Sequence, residues 1–279
     1  MRWQGRRQSS NVDDRRGMGG RIAVGGGIGT IILAIIGFLM GGNPLDSLNL
    51  NTQPDTQAQR ELTQEEKSQG EFAKVVLGNT EDVWNDIFQK KFGKDYPEPR
   101  MVLFEGNTDA ACGYATSATG PFYCPADQDI YIDLSFFNEL ESRFQAKGDF
   151  AQAYVIAHEV GHHVQRTLGI TDKVDAQRGR LSETEMNALS VRLELQADFL
   201  AGVWAHHAHE MENLLEAGDI EEALNAASAI GDDRLQMQSQ GRVVPDAFTH
   251  GTSEQRMHWF KKGFETGDID QGDTFNAPL

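Results

Sequence analysis

Apolar residues recur every three to four positions over much of this chain. Phe72, Val75 and Val76 share one helical face, and Val83, Trp84, Ile87 and Phe88 share another, with Gly78-Asn79 between them. The spacing predicts two helices, over 64–77 and 80–91. Thr63 with Glu66 fits a capping box and sets the start of a folded domain. The period then changes. Met101-Val-Leu-Phe is a strand candidate, and Phe122-Tyr-Cys and Ile130-Tyr-Ile-Asp-Leu are two more in the Gly-, Thr- and Pro-punctuated stretch from Cys112 to Leu134. Helical spacing returns from about Phe150 to Thr167, ended by Gly169. Ser182 with Glu185 opens a helix running to about Glu212. Asp219 with Glu222 opens another, stopped by Gly231, and Thr252 with Gln255 a third, ending near Gly267. There is no internal repeat. The mixture is mostly helix, with a small sheet placed before the central helix: an α+β chain.

One run fits neither period. Ile22 to Met40 is 19 residues long with Thr30 its only polar side chain, and nothing between Arg21 and Asp46 is charged. A helix of that length covers about 29 Å, close to the hydrocarbon thickness of a bilayer. It exceeds the usual apolar core of a signal peptide, roughly 7–15 residues, and no clean cleavage site follows. The reading is one uncleaved transmembrane helix, residues 22–42, in contact with the lipid bilayer. Residues 1–21 carry six Arg against Asp13 and Asp14. That excess predicts a cytoplasmic basic head, with everything after Gly42 periplasmic or extracellular. Gly25/Gly29 and Gly37/Gly41 have the small-xxx-small spacing that permits a homo-oligomer through this helix, although glycine is common in membrane helices anyway. Residues 43–62 read as a flexible tether, 63–267 as the domain and 268–279 as a loose acidic tail.

Composition narrows the function classes. With 25 Lys and Arg against 42 Asp and Glu, the net charge of -17 argues against a nucleic-acid partner, which needs clustered basic residues. A hydrophobic fraction of 39% over 279 residues suffices for a real core. Both cysteines, Cys112 and Cys124, fall on the side expected to be oxidising. They lack Cys-x-x-Cys spacing, so a disulfide is the expectation.

The chemistry gathers in His158-Glu159-Val160-Gly161-His162, an H-E-x-x-H motif inside a predicted helix. Positions i and i+4 share a face, so both imidazoles can ligate one ion. Glu159 is placed to take a proton from water activated at that ion. The bare motif arises by chance too readily to stand alone; a second motif, Glu194-Leu-Gln-Ala-Asp198, strengthens it. Catalytic zinc keeps three protein ligands and one open position. Glu194 completes that set, and Asp198 on the same face can accept the free N–H of a ligand imidazole and fix its tautomer. His163 points about 100° away from His162 and is expected at the surface or behind the ligands. His206, His207 and His209 are expected to be solvated, and Trp204 and Trp259 to be core. His250, in a loop before a helix start, is the candidate donor to the oxyanion of a tetrahedral intermediate. Tyr154, one turn before His158, is a weaker candidate for that task and reads better as a packed aromatic.

These motifs carry a resemblance. H-E-x-x-H followed by E-x-x-x-D on a later helix is similar to the gluzincin arrangement of zinc metallopeptidases. More narrowly, GPFYCPADQDIYIDLSFF, AYVIAHEVGHHVQ, LELQADFLAGVWAH and FTHGTSEQR resemble the bacterial putative neutral zinc metallopeptidase family, from the arginine-rich head to about Gly267. The family often has Cys where this chain has Phe199, a position with no assigned role. The resemblance implies a zincin-like fold, with His158, His162 and Glu194 as zinc ligands and Glu159 as the catalytic base. The expected function is a membrane-anchored zinc metalloendopeptidase acting on a peptide or protein substrate. An extended substrate would pair with the strand around Tyr131–Leu134. The alternative is a membrane-tethered binding or assembly module whose zinc is structural.

Overall fold

In the computed structural model, residues 1–17 and 60–278 are described. The expected anchor at 22–42 and most of the tether lie outside the described residues. Among the described residues no helix is long and apolar enough to cross a membrane. The elements run β1 (Val12–Asp14), α1 (Gln64–Phe92), β2 (Arg100–Phe104), β3 (Asn107–Ala110), β4 (Gly113–Thr116), β5 (Phe122–Cys124), β6 (Asp129–Asp133), α2 (Ser135–Ser142), α3 (Asp149–Thr167), α4 (Ile170–Asp175), α5 (Glu183–Glu212), α6 (Asp219–Ala229), α7 (Asp232–Gln240) and α8 (Ser253–Thr266). The α+β expectation holds: mostly helix with a small sheet.

The main sheet has the order β1-β2-β6-β5. β1, β2 and β6 are parallel, and β5 closes the far edge antiparallel to β6. β3 and β4 form a separate hairpin. The Cys112–Cys124 disulfide, expected from the sequence, joins the turn of that hairpin to the end of β5 across 5.8 Å between Cα atoms. β6 is buried along its whole length and has a partner on each side of Tyr131: Val102 of β2 and Phe122 of β5. It is therefore not the edge strand expected to receive substrate; that outer place belongs to β5.

α3 sits centrally, packed against α1, α5, α6 and β5. Its apolar stripe (Phe150, Tyr154, Ile156, Val160, Val164) is buried, so the helix is oriented by hydrophobic burial before any polar group is considered. α5 presses against α8 with little space between backbones. A Cβ on Gly263 would overlap the Phe199 carbonyl, and one on Gly202 would overlap that of Phe260. Trp204 and Trp259 lie in the core, as expected.

Three expectations are corrected. The two helices over 64–77 and 80–91 are a single helix, α1. Gly78 marks a clearance rather than a break: residues 7–9 pass so close that a Cβ there would lie 3.0 Å from the Ser9 nitrogen.

The basic head is not separate from the domain. β1 adds a strand to the sheet, and Trp3 packs edge-on against Phe72 with ring centroids 5.4 Å apart. Ser9 and Asn11 donate to the buried Glu81, and Arg7 pairs with Glu81 and Asp82. The Met1 amino group donates to Asp149 at the start of α3. Arg60 N donates to the Gly17 carbonyl at 3.0 Å, so the two described stretches meet at their ends. The arginines that suggested a cytoplasmic head are largely paired with carboxylates.

The tail beyond Gly267 is not loose. Thr274 is fully buried and donates to the Arg192 carbonyl at 2.6 Å, while Gln196 donates to the Gly272 carbonyl at 2.8 Å.

Candidate metal centre

α3 and α5 meet where their polar residues interrupt two apolar faces. Glu194 Oε2 lies 3.1 Å from His158 Nε2 and 3.4 Å from His162 Nε2. Ligand atoms about 2.0–2.1 Å from a tetrahedral zinc are separated by roughly 3.3 Å, so the two distances to Glu194 are already close to the edge length such an ion requires. They form one of the groups of His and carboxylate side chains whose ligand atoms lie within 4.8 Å of one another.

The inward direction of both imidazoles is set from behind. His158 Nδ1 faces Asp198 Oδ1 at 2.8 Å. His162 Nδ1 faces Gln165 Oε1 at 2.9 Å, and Gln165 is itself fixed by donating to the Leu193 carbonyl at 2.7 Å. A carboxylate and an amide oxygen only accept, so each Nδ1 carries a proton and each Nε2 is the ring atom turned into the site. Asp198 is fully buried and also receives the Tyr154 hydroxyl and two N–H groups of Arg256.

The electrostatics follow from this packing. Burial would raise the Asp198 carboxyl, but Arg256 and His158 outweigh it and hold the group at about 2. Burial opposes a charged His158; Asp198 and Glu194 outweigh it and push the imidazole up to about 10. Glu194 is held well below the usual carboxylate range, against its burial, by His162, His250 and His158. Two histidines and a carboxylate that share charge this strongly without an ion are suited to receiving a divalent cation in place of a proton.

The remaining candidates fall as follows. Glu159 is buried on α3, and its carboxylate makes no hydrogen bond among the described residues; its charge acts on His162. It is thus near the donors without being held by a partner. His250 is half-buried in the loop before α8. Its Nδ1 lies 3.3 Å from Asp232 Oδ1, and the backbone N–H groups of Thr249, His250 and Gly251 all converge on Asp232 Oδ2. Burial would lower the His250 pKa, but Glu194 and Asp232 outweigh it and raise it. Tyr154 lies behind His158, donating to Asp198, rather than facing the open side.

His163 is not at the surface. It is buried, with Nε2 toward the Pro97 carbonyl and Nδ1 3.2 Å from the Tyr123 hydroxyl. His206 and His207 are not simply solvated either: they bond the carbonyls of Phe264 and Gly267 at the end of α8. His209 is exposed. A cavity of about 720 Å³ between α4, α5 and the tail touches Gln196 but none of His158, Glu159, His162 or Glu194.

With this geometry in view, the sequence matches, over residues 1–275, the family described as putative neutral zinc metallopeptidase. The chain belongs to that family. An Escherichia coli K12 relative, the uncharacterized protein YpfJ, is 52% identical over 289 aligned positions that cover both chains completely. The uncharacterized protein Rv2575 of Mycobacterium tuberculosis H37Rv is 43% identical over 214 positions, 73% of this chain and 70% of the relative. No solved structure matches the chain. The family match agrees with the zinc peptidase reading in general.

Three residues that support this family member's site were not picked out from sequence. Gln165 had a local signal, lying three residues after His162 and hence on its face. Arg256 had a weaker one: it is a charged residue in the buried stripe of α8 with Trp259, Phe260 and Gly263. Asp232 had none, because it meets His250 only through the fold.

Proposed function

We propose that the protein is a zinc-dependent endopeptidase with His158, His162 and Glu194 as metal ligands. The observation that carries this is the convergence of two imidazole nitrogens and one carboxylate oxygen within 4.8 Å of one another, with no fourth His, Cys, Asp or Glu in that group among the described residues. Structural zinc is normally closed by a fourth protein ligand, whereas catalytic zinc keeps a position open. The three-donor set therefore favours turnover over a purely structural ion.

Zinc held by His158, His162 and Glu194 would supply a Lewis acid able to polarise a scissile carbonyl and to activate water near neutral pH. Glu159, unclaimed by any hydrogen-bond partner among the described residues, accepts the proton of the attacking water and returns it to the leaving amine. His250, held by Asp232 and kept basic, donates to the oxygen on which negative charge develops. β5, the outermost strand beside α3, offers a backbone edge along which an extended peptide can lie. The apolar stretch 22–40 supports attachment to a membrane, and the disulfide supports an oxidising compartment.

The test is cleavage of a mixed peptide library by the full-length protein in detergent. Activity should vanish on chelation and return with zinc. A protein that binds zinc tightly and cleaves no peptide would favour the binding-module alternative.

A further inference from the structure

Arg256 is the least expected group near the site. Its side chain is 2% exposed, although it lies on α8, five helices after the one that carries His158 and His162. Taking a guanidinium out of water is costly, and only close hydrogen-bonded pairing offsets the cost. That pairing is with one carboxylate: Nε donates to Asp198 Oδ2 at 2.8 Å and Nη2 to Asp198 Oδ1 at 3.0 Å. The remaining contacts are Nη2 to the Tyr154 hydroxyl at 3.2 Å, Nη1 to the Ile230 carbonyl at 3.2 Å, and Nη2 at 3.5 Å from His158 Nδ1 itself.

We infer that Arg256 is a positioning residue for the metal centre, holding the Asp198 carboxylate in the orientation that aims His158 Nε2 at the ion. The inference rests on the reading that His158, His162 and Glu194 hold zinc. The reasoning is geometric. Two parallel N–H···O bonds from a planar fork fix both the position and the plane of a carboxylate, which one bond from an ammonium does not. With its plane fixed, Asp198 presents Oδ1 to His158 Nδ1 at 2.8 Å, and the imidazole cannot rotate without losing that bond. The Tyr154 hydroxyl on the same oxygen closes the set. Delivery of Arg256 depends on the close approach of α8 to α5, and that approach is allowed by Gly202 and Gly263. α8 thereby contributes to a metal site whose ligands come only from α3 and α5.

A simple brace between α5 and α8 would leave metal affinity untouched; orientation of His158 would not. Outer-shell partners of zinc-binding histidines typically contribute 10–100-fold in metal affinity. The measurement is zinc affinity of the full-length protein by competition with a chelating dye, together with the visible spectrum of the cobalt-substituted form. Arg256→Gln should weaken zinc about 10–100-fold and alter the cobalt bands. Arg256→Lys, which keeps the charge but not the fork, should show a smaller loss of the same kind, and it serves alone if the Gln variant does not fold. A folded Arg256→Lys or Arg256→Gln protein with wild-type zinc affinity and cobalt spectrum would overturn the inference. Failure of the wild type to bind zinc would instead overturn the ligand assignment beneath it.

Discussion

Glu194 and Asp198 are one helical turn apart on α5, chemically alike, and placed for different work. Glu194 Oε2 faces both Nε2 atoms, while Asp198 faces an Nδ1 and is sealed by Arg256 and Tyr154. Elemental analysis should separate them. Glu194→Ala should lose zinc to near background. Asp198→Asn should retain it at high protein concentration, with affinity lowered about 10–100-fold; equal zinc loss in both would mean that Asp198 is a ligand. This part of the site was legible in the sequence because both motifs are local. Helical periodicity places i and i+4 together wherever the helix goes. Arg256 and Asp232 were not legible, since each meets its partner across 58 and 18 residues of chain and only the packing of α8 and its preceding loop brings them there.

At the scale of elements, α3 is bolted to the sheet by His163. Its buried ring links the Tyr123 hydroxyl of β5 to the Pro97 carbonyl. Burial lowers its pKa below the usual value of about 6.5, despite the Pro97 carbonyl and Asp129. A lowered histidine pKa means that the unfolded chain binds the extra proton first. The contribution to stability is therefore present above pH 6.5 and is lost as pH falls through 6.5 toward the folded value. Thermal unfolding of His163→Gln from pH 7.5 to 5 should show a shallower acid-side decline than the wild type. An unchanged slope would mean that the histidine is not titrating with unfolding. The capping boxes at Thr63, Ser182 and Thr252 all form, so those helix starts were readable in four residues each. The failures were of another kind. α1 runs through Gly78 because the head packs there, and β1, β3 and β4 are too short and too polar for periodicity to register.

For the whole molecule, the unexpected feature is the docking of residues 1–17 on the domain. Charge counting treated the six arginines as free to prefer one side of a membrane. Packed, Arg6, Arg7, Arg15 and Arg16 face Glu212, Asp82, Asp13 and Asp14. With Gly17 and Arg60 hydrogen-bonded, a head that stays docked predicts one shared compartment for head and domain. Single cysteines at the exposed positions Gln4 and Glu71 should then react alike with a membrane-impermeant maleimide on intact cells. Labelling at 71 with protection at 4 would restore the opposed arrangement and require the head to be undocked.

The central claim is that the His158–His162–Glu194 centre is catalytic, with Glu159 moving the proton rather than holding the ion. It is tested most directly by measuring zinc content and peptide turnover on the same preparation of Glu159→Gln. The account predicts wild-type zinc with turnover reduced by at least about 10²–10⁴-fold, the usual loss for a missing general base. Zinc retained with turnover intact would contradict it, and zinc lost together with turnover would make Glu159 a ligand.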